Sequence, residues 1–215
     1  MLQHIIYAAE VIGIIAFAVS GAMLAAEKNL DVFGILVLGV VTAFGGGVIR
    51  DLLLGITPPA MFNSYIFLLL ASLSALVVFL LYRLFYCGKI ARERRLDYTA
   101  IVNFFDAVGL GVFSISGVNV ALEHGFAHNP VLSICVGVLT GIGGGMLRDV
   151  LIGEIPSVLR KHIYALAAIL GASAYYLLAR TSLSPFFSVL LACGLTIGLR
   201  LLASYYRWHL PRPRL

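Results

Sequence analysis

The chain has 215 residues, of which 61% are hydrophobic and only 12% charged, with a mean hydropathy of +1.02. A water-soluble domain carries about 25% charged residues and about half apolar ones, so a soluble fold is excluded. The net charge of +5 sits beside apolar stretches and forms no basic domain, which excludes nucleic-acid binding as the reason for it.

Apolar stretches at roughly 5–26, 33–54, 62–86, 100–122, 131–152, 162–180 and 185–206 predict seven membrane-spanning helices. Each is close to the ~20 residues a helix needs to cross hydrocarbon. The first has no basic leading region and contains Glu10, so it is expected to be a mature helix and not a signal peptide.

The second span carries Thr42-Ala43-Phe44-Gly45-Gly46-Gly47-Val48-Ile49-Arg50-Asp51, and the fifth repeats it as Thr140-Gly141-Ile142-Gly143-Gly144-Gly145-Met146-Leu147-Arg148-Asp149. The duplication reaches further. Glu10, Gly13, Phe17, Ser20, Gly21, Ala25 and Glu27 return at a constant offset as Asp106, Gly109, Phe113, Ser116, Gly117, Ala121 and Glu123. Gly55 and Pro58 return as Gly153 and Pro156. Each copy holds three spans, and an odd number per copy makes the copies cross the membrane in opposite senses. The expected fold is therefore an all-α integral membrane protein with two inverted three-helix repeats and a seventh helix (3+3+1). Its parts are a first repeat over 1–88, a basic linker over 89–99, a second repeat over 100–182, and the seventh helix with its basic tail over 183–215.

Three glycines in a row cost a helix interior about 1 kcal/mol each relative to alanine. They recur near the middle of spans two and five, which predicts helices broken at the glycines and lining a polar path. Close helix packing on a side-chain-free face is the other reading. Released carbonyls in such a break suit a dehydrating cation. The candidate pathway residues are thus Gly45, Gly46, Gly47, Gly143, Gly144, Gly145, Arg50, Asp51, Arg148, Asp149, Thr42 and Thr140. Adjacent helix positions point about 100° apart, so Arg50 and Asp51 need not pair with each other. Depth along the spans instead pairs Arg50 with Glu10 and Arg148 with Asp106. Ser20-Gly21 and Ser116-Gly117 read as close-packing points.

Basic residues flank one set of span ends: Arg83, Lys89, Arg92, Arg94 and Arg95 around the third connection, then Arg160, Lys161, Arg207, Arg212 and Arg214. The positive-inside rule puts the N-terminus outside and the C-terminus in the cytoplasm. Lys89, Arg92, Arg94 and Arg95 are also candidates to hold anionic lipid headgroups. Cys87, Cys135 and Cys193 lack metal-ligand spacing, the five histidines are scattered near span ends, and no metal site is expected. No Lys-Ser or Lys-Thr follows the glycines, and no Ser-His-Asp order or H-E-x-x-H motif is present, so no enzyme and no cofactor are expected. Tyr205, Tyr206 and Trp208 read as interfacial anchors.

The paired GGG-x-x-R-D segments in a 3+3+1 chain resemble the prokaryotic branch of the trimeric intracellular cation channel family, from about Glu10 to Arg207. The resemblance implies a homotrimer in which each subunit holds its own hourglass pore, lined by spans two and five. It implies selectivity for monovalent cations, chiefly potassium with sodium as the competitor, bound phospholipid at subunit contacts, and the plasma (inner) membrane of a prokaryote. Animal members carry a lysine-containing motif on the second span and a lysine on the fourth. This chain has Arg50-Asp51 in the first place and no lysine in the second, so voltage sensing and calcium-linked regulation are not implied. Similar bacterial sequences are also labelled as glycine transporters, which leaves a carrier of small amino acids working by alternating access as the alternative.

Overall fold

The computed structural model describes residues 2–63, 65–85, 95–160, 163–206 and 208. Among them run α1 (Leu2–Glu27), α2 (Val32–Leu53), α3 (Tyr65–Phe85), α4 (Arg95–Glu123), α5 (Pro130–Leu151), α6 (Ile163–Leu178) and α7 (Pro185–Tyr205). All but α6 are long and apolar enough to cross a membrane, and α6 has 16 residues. The chain is a multi-pass membrane protein. The third span starts later than its hydropathy indicates, because Ala60–Asn63 forms a separate 3-10 turn. The fourth starts earlier, at Arg95, because polar residues continue the helix where apolar content runs out.

The two copies begin and end their glycine-bearing helices alike. Asp31 caps α2 by accepting from the Gly34 N–H at 2.7 Å, and Asn129 caps α5 by accepting from Leu132 at 3.0 Å. Such caps satisfy amides that the first turn leaves open. Gly55 and Gly153 stop the same helices at φ 71° and 72°, where a side chain would be strained.

α4 is the most buried span, packed on α1, α5 and α7, while α3 lies at the periphery with most of its surface open. α2 and α5 cross directly. Contacts in a membrane gain little from apolar burial, so close backbone approach and polar pairs must supply the association. Tyr206 stacks on Trp208 with ring centres 6.1 Å apart, beyond the end of α7.

An exposed clasp joins the copies where α1 and α5 end. Lys28 Nζ lies 2.5 Å from Glu154 Oε1, and Arg160 reaches the other oxygen at 3.6 Å. The hydrogen bond and then the charge of Lys28 hold the Glu154 carboxyl below the usual carboxylate range. A carboxyl depressed on folding adds stability above its unfolded pKa and loses it as pH falls through the folded value. The effect is small for an exposed pair. The Tm gap between wild type and Lys28→Met is therefore expected to be widest near about pH 6 and to narrow as pH falls below about 4, the ordinary glutamate value. A gap that does not change with pH would mean the clasp does not form in solution.

Candidate functional site

Both glycine triplets lie within unbroken helix, which corrects the expectation of broken helices. A single helix pays for each glycine, but here the second helix supplies the compensation. α2 and α5 meet at Gly46 and Gly144 with opposed chain directions: Gly45 faces Leu147, and Gly143 faces Ile49. A Cβ on Gly46 would overlap the Thr140 carbonyl oxygen, and one on Gly144 would overlap that of Thr42. Only glycine lets the backbones come this close. The Thr42 and Thr140 hydroxyls donate to Leu38 and Val136 carbonyls of their own helices, both at 2.6 Å, and pack on Gly21 and Gly117. These two threonines wedge neighbouring helices and do not line either of the charged cavities described below.

A charged cluster stands on each side of the crossing. On one side Arg50 Nη1 lies 3.6 Å from Glu10 Oε1, with Ser116 between them: its hydroxyl donates to Glu10 at 2.5 Å and accepts from Arg50 at 3.3 Å. On the other, Arg148 Nη1 bonds Asp106 Oδ1 directly at 2.7 Å and also donates to Ser20 at 2.7 Å. Sequence depth brought these partners together correctly.

The neighbouring aspartates differ from expectation. Arg50 Nε bonds Asp51 at 2.7 Å, and Arg148 Nε bonds Asp149 at 2.9 Å. The 100° separation on the helix is overcome because the long arginine stem folds back onto the adjacent carboxylate. Each aspartate's second oxygen then accepts a backbone N–H from the following turn, Ala60 at 2.8 Å and Ser157 at 2.6 Å. Asp51 and Asp149 thereby fix arginine and loop at once.

Each cluster opens onto a small cavity. One, of about 60 Å³, is walled by Glu10, Gly47, Arg50 and Asp51 together with Phe44 and Phe113. The other, of about 120 Å³, is walled by Asp106, Arg148, Asp149, Ser157, Asn103 and Glu27. Between them the chain is packed. Gly45, Gly46, Gly143, Gly144 and Gly145 are buried, and the rings of Phe17 and Phe113 stack beside the crossing at 5.3 Å. Two carboxylates against one guanidinium leave the Glu10 cluster one negative charge in excess, which favours a cation over an anion.

Four residues of this region escaped the sequence reading. Ser20 and Ser116 read as packing points, yet each serves the arginine of the other copy; their place beside the repeated acids was the available signal. Tyr164 and Arg200 are buried next to the Asp106 cluster and have no counterpart on the Glu10 side. An arginine within an apolar span was itself a signal. Of the candidate lipid ligands, Lys89, Arg92 and Arg94 lie outside the described residues, as does the side chain of Arg95. Among the described residues no three His, Cys, Asp or Glu side chains are grouped to hold a metal ion.

A family model described as "Glycine transporter" matches residues 7–83 and 103–180. The inner membrane protein YadS of Escherichia coli, of the group UPF0126, is 38% identical over 97% of this chain and 95% of its own. A UPF0126 membrane protein of Deinococcus radiodurans is 39% identical over 93% and 84%. Among solved structures, a prokaryotic TRIC channel crystallised in 0.5 M KCl has a TM-score of 0.86 at 36% identity, covering 97% of this chain and 100% of that one. The TRIC trimeric intracellular cation channel orthologue from Rhodobacter sphaeroides has a TM-score of 0.82 at 32% identity, covering 94% and 98%.

Proposed function

Because the chain belongs to the TRIC channel family, in its prokaryotic branch, we propose that it conducts monovalent cations, chiefly potassium, along a path inside each subunit. The observation that carries this reading is the pair of charged cavities at opposite sides of one glycine crossing within a single chain. Each cavity presents carboxylate oxygens to an entering ion, and the side-chain-free crossing is the barrier that has to part. Two helices that touch through glycine can separate without withdrawing side chains from a packed core, which suits the crossing as a gate. The near-constant offset between the copies, three helices each, supports the inverted 3+3+1 arrangement. The flanking basic residues support an N-terminus outside. Three such subunits form the assembly, with phospholipid at their contacts.

The test is current across a planar bilayer holding the purified protein between unequal potassium chloride solutions. Unitary steps reversing near the potassium potential are expected. Gly47→Val places a side chain on the cavity wall, where the nearest atom, Arg50 Nη2, stands 3.9 Å from an ideal Cβ, and is expected to lower the unitary current with folding intact. A silent bilayer together with saturable glycine uptake into vesicles would replace the channel by a carrier.

A further inference from the structure

The two charged clusters look equivalent until α7 is included. Around Glu10 the helices supply two carboxylates and one guanidinium. Around Asp106 they supply the same set, and α7 then adds a second guanidinium. Arg200 is 3% exposed, its Cζ stands 4.9 Å from the centre of the Tyr164 ring, and its Nε and Nη2 have no hydrogen-bond partner among the described residues. A ring face attracts a cation through its quadrupole but offers no counter-charge, so Arg200 keeps its positive charge.

Tyr164 ties that charge to the cluster. Its hydroxyl lies 2.9 Å from the position a Cβ would take on Gly145 and likewise has no hydrogen-bond partner among the described residues. Asp106, Arg148, Asp149 and Arg200 all act electrostatically on it. Glu27 also stands at this cavity, and the duplication gives it an equivalent, Glu123, in the other copy. Arg200 is therefore a positive charge at the Asp106 end that the duplication does not repeat at the Glu10 end.

We propose that Arg200 makes the ion path electrically one-sided: it adds a positive charge at the Asp106 end, so cations pass more readily when they enter at the Glu10 end. The proposal rests on the cation-channel reading above. One unit charge about 10 Å away in water changes the local cation concentration about two-fold, which sets the size of the effect. Salt screens it, since the Debye length falls from about 10 Å at 0.1 M to about 3 Å at 1 M.

The experiment is single-channel recording in symmetrical potassium chloride, comparing currents at equal and opposite voltages within one molecule. In wild type at about 0.1 M, where one Debye length of screening cuts the two-fold effect, the larger current is expected to exceed the smaller about 1.3-fold, and the ratio to fall toward one at about 1 M. Arg200→Gln brings the ratio to about one already at low salt by raising the smaller current, whereas Arg200→Lys keeps the asymmetry. Equal currents in wild type at low salt would overturn the proposal. So would an asymmetry that Arg200→Gln leaves intact, or one indifferent to salt, and the last needs no variant to fold. No unitary current from wild type in any solution would instead strike the channel reading beneath it.

Discussion

Gly46→Ala is expected to destabilise the protein by about 3 kcal/mol or more, while Gly47→Ala, one residue along the same helix, is neutral or stabilising by up to about 1 kcal/mol. In an isolated helix both substitutions would help, because alanine is the better helix former. The difference arises from what each Cβ meets. At Gly46 it overlaps the Thr140 carbonyl oxygen and lies 3.0 Å from the carbonyl carbon. Those atoms belong to helix backbone and cannot turn aside as a side-chain end would. At Gly47 only the tip of Arg50 stands within reach, at 3.9 Å. Gly144→Ala is expected to behave like Gly46→Ala, because the Thr42 carbonyl stands in the mirrored place. Thermal unfolding in detergent decides the matter. Equal Tm values for the Gly46 and Gly47 variants would mean that the helices do not cross as described.

Arg148→Met carries the second large effect, a loss of about 3–5 kcal/mol. It takes from two carboxylates, Asp106 at 3% exposure and Asp149 also at 3%, the guanidinium bonded to both in a low-dielectric interior. Arg50→Met is expected to cost clearly less. Glu10 is about a fifth exposed in its side chain, and Ser116 still donates to it after the arginine is gone. Adding Asp106→Asn to Arg148→Met should restore part of the loss, since an amide needs no counter-charge. The ranking of Tm across these variants is the measurement. An Arg148 variant no less stable than its Arg50 counterpart would contradict the buried-cluster account.

Much of the site could be read from residues alone because the chain states it twice. The offset between Glu10 and Asp106 nearly matches that between Arg50 and Arg148, so depth along the spans alone pairs acid with base. Two inferences failed for a shared reason: they treated a helix as if it were alone. Glycine propensity counts what one helix loses, and the Thr140 and Thr42 carbonyls on the opposite helix are invisible to it. The angle between positions 50 and 51 says where side chains leave the backbone, and an arginine has enough reach to come back. Tyr164 and Arg200 were hidden for a different reason. They occur on one side only, and an argument built from repetition passes over what is not repeated.

The two serines bear on how such a chain arose. Arg50 takes its serine from the second copy and Arg148 takes its serine from the first. The glycine of each copy rests on the threonine carbonyl of the other. Neither half is therefore a self-sufficient folding unit. A single-copy ancestor with the same pattern completes its sites only as a pair of molecules, each lending a serine and a glycine to its twin. Joining two such copies in one chain keeps that partnership within a single molecule, and α7, which belongs to neither copy, adds an arginine at one end only.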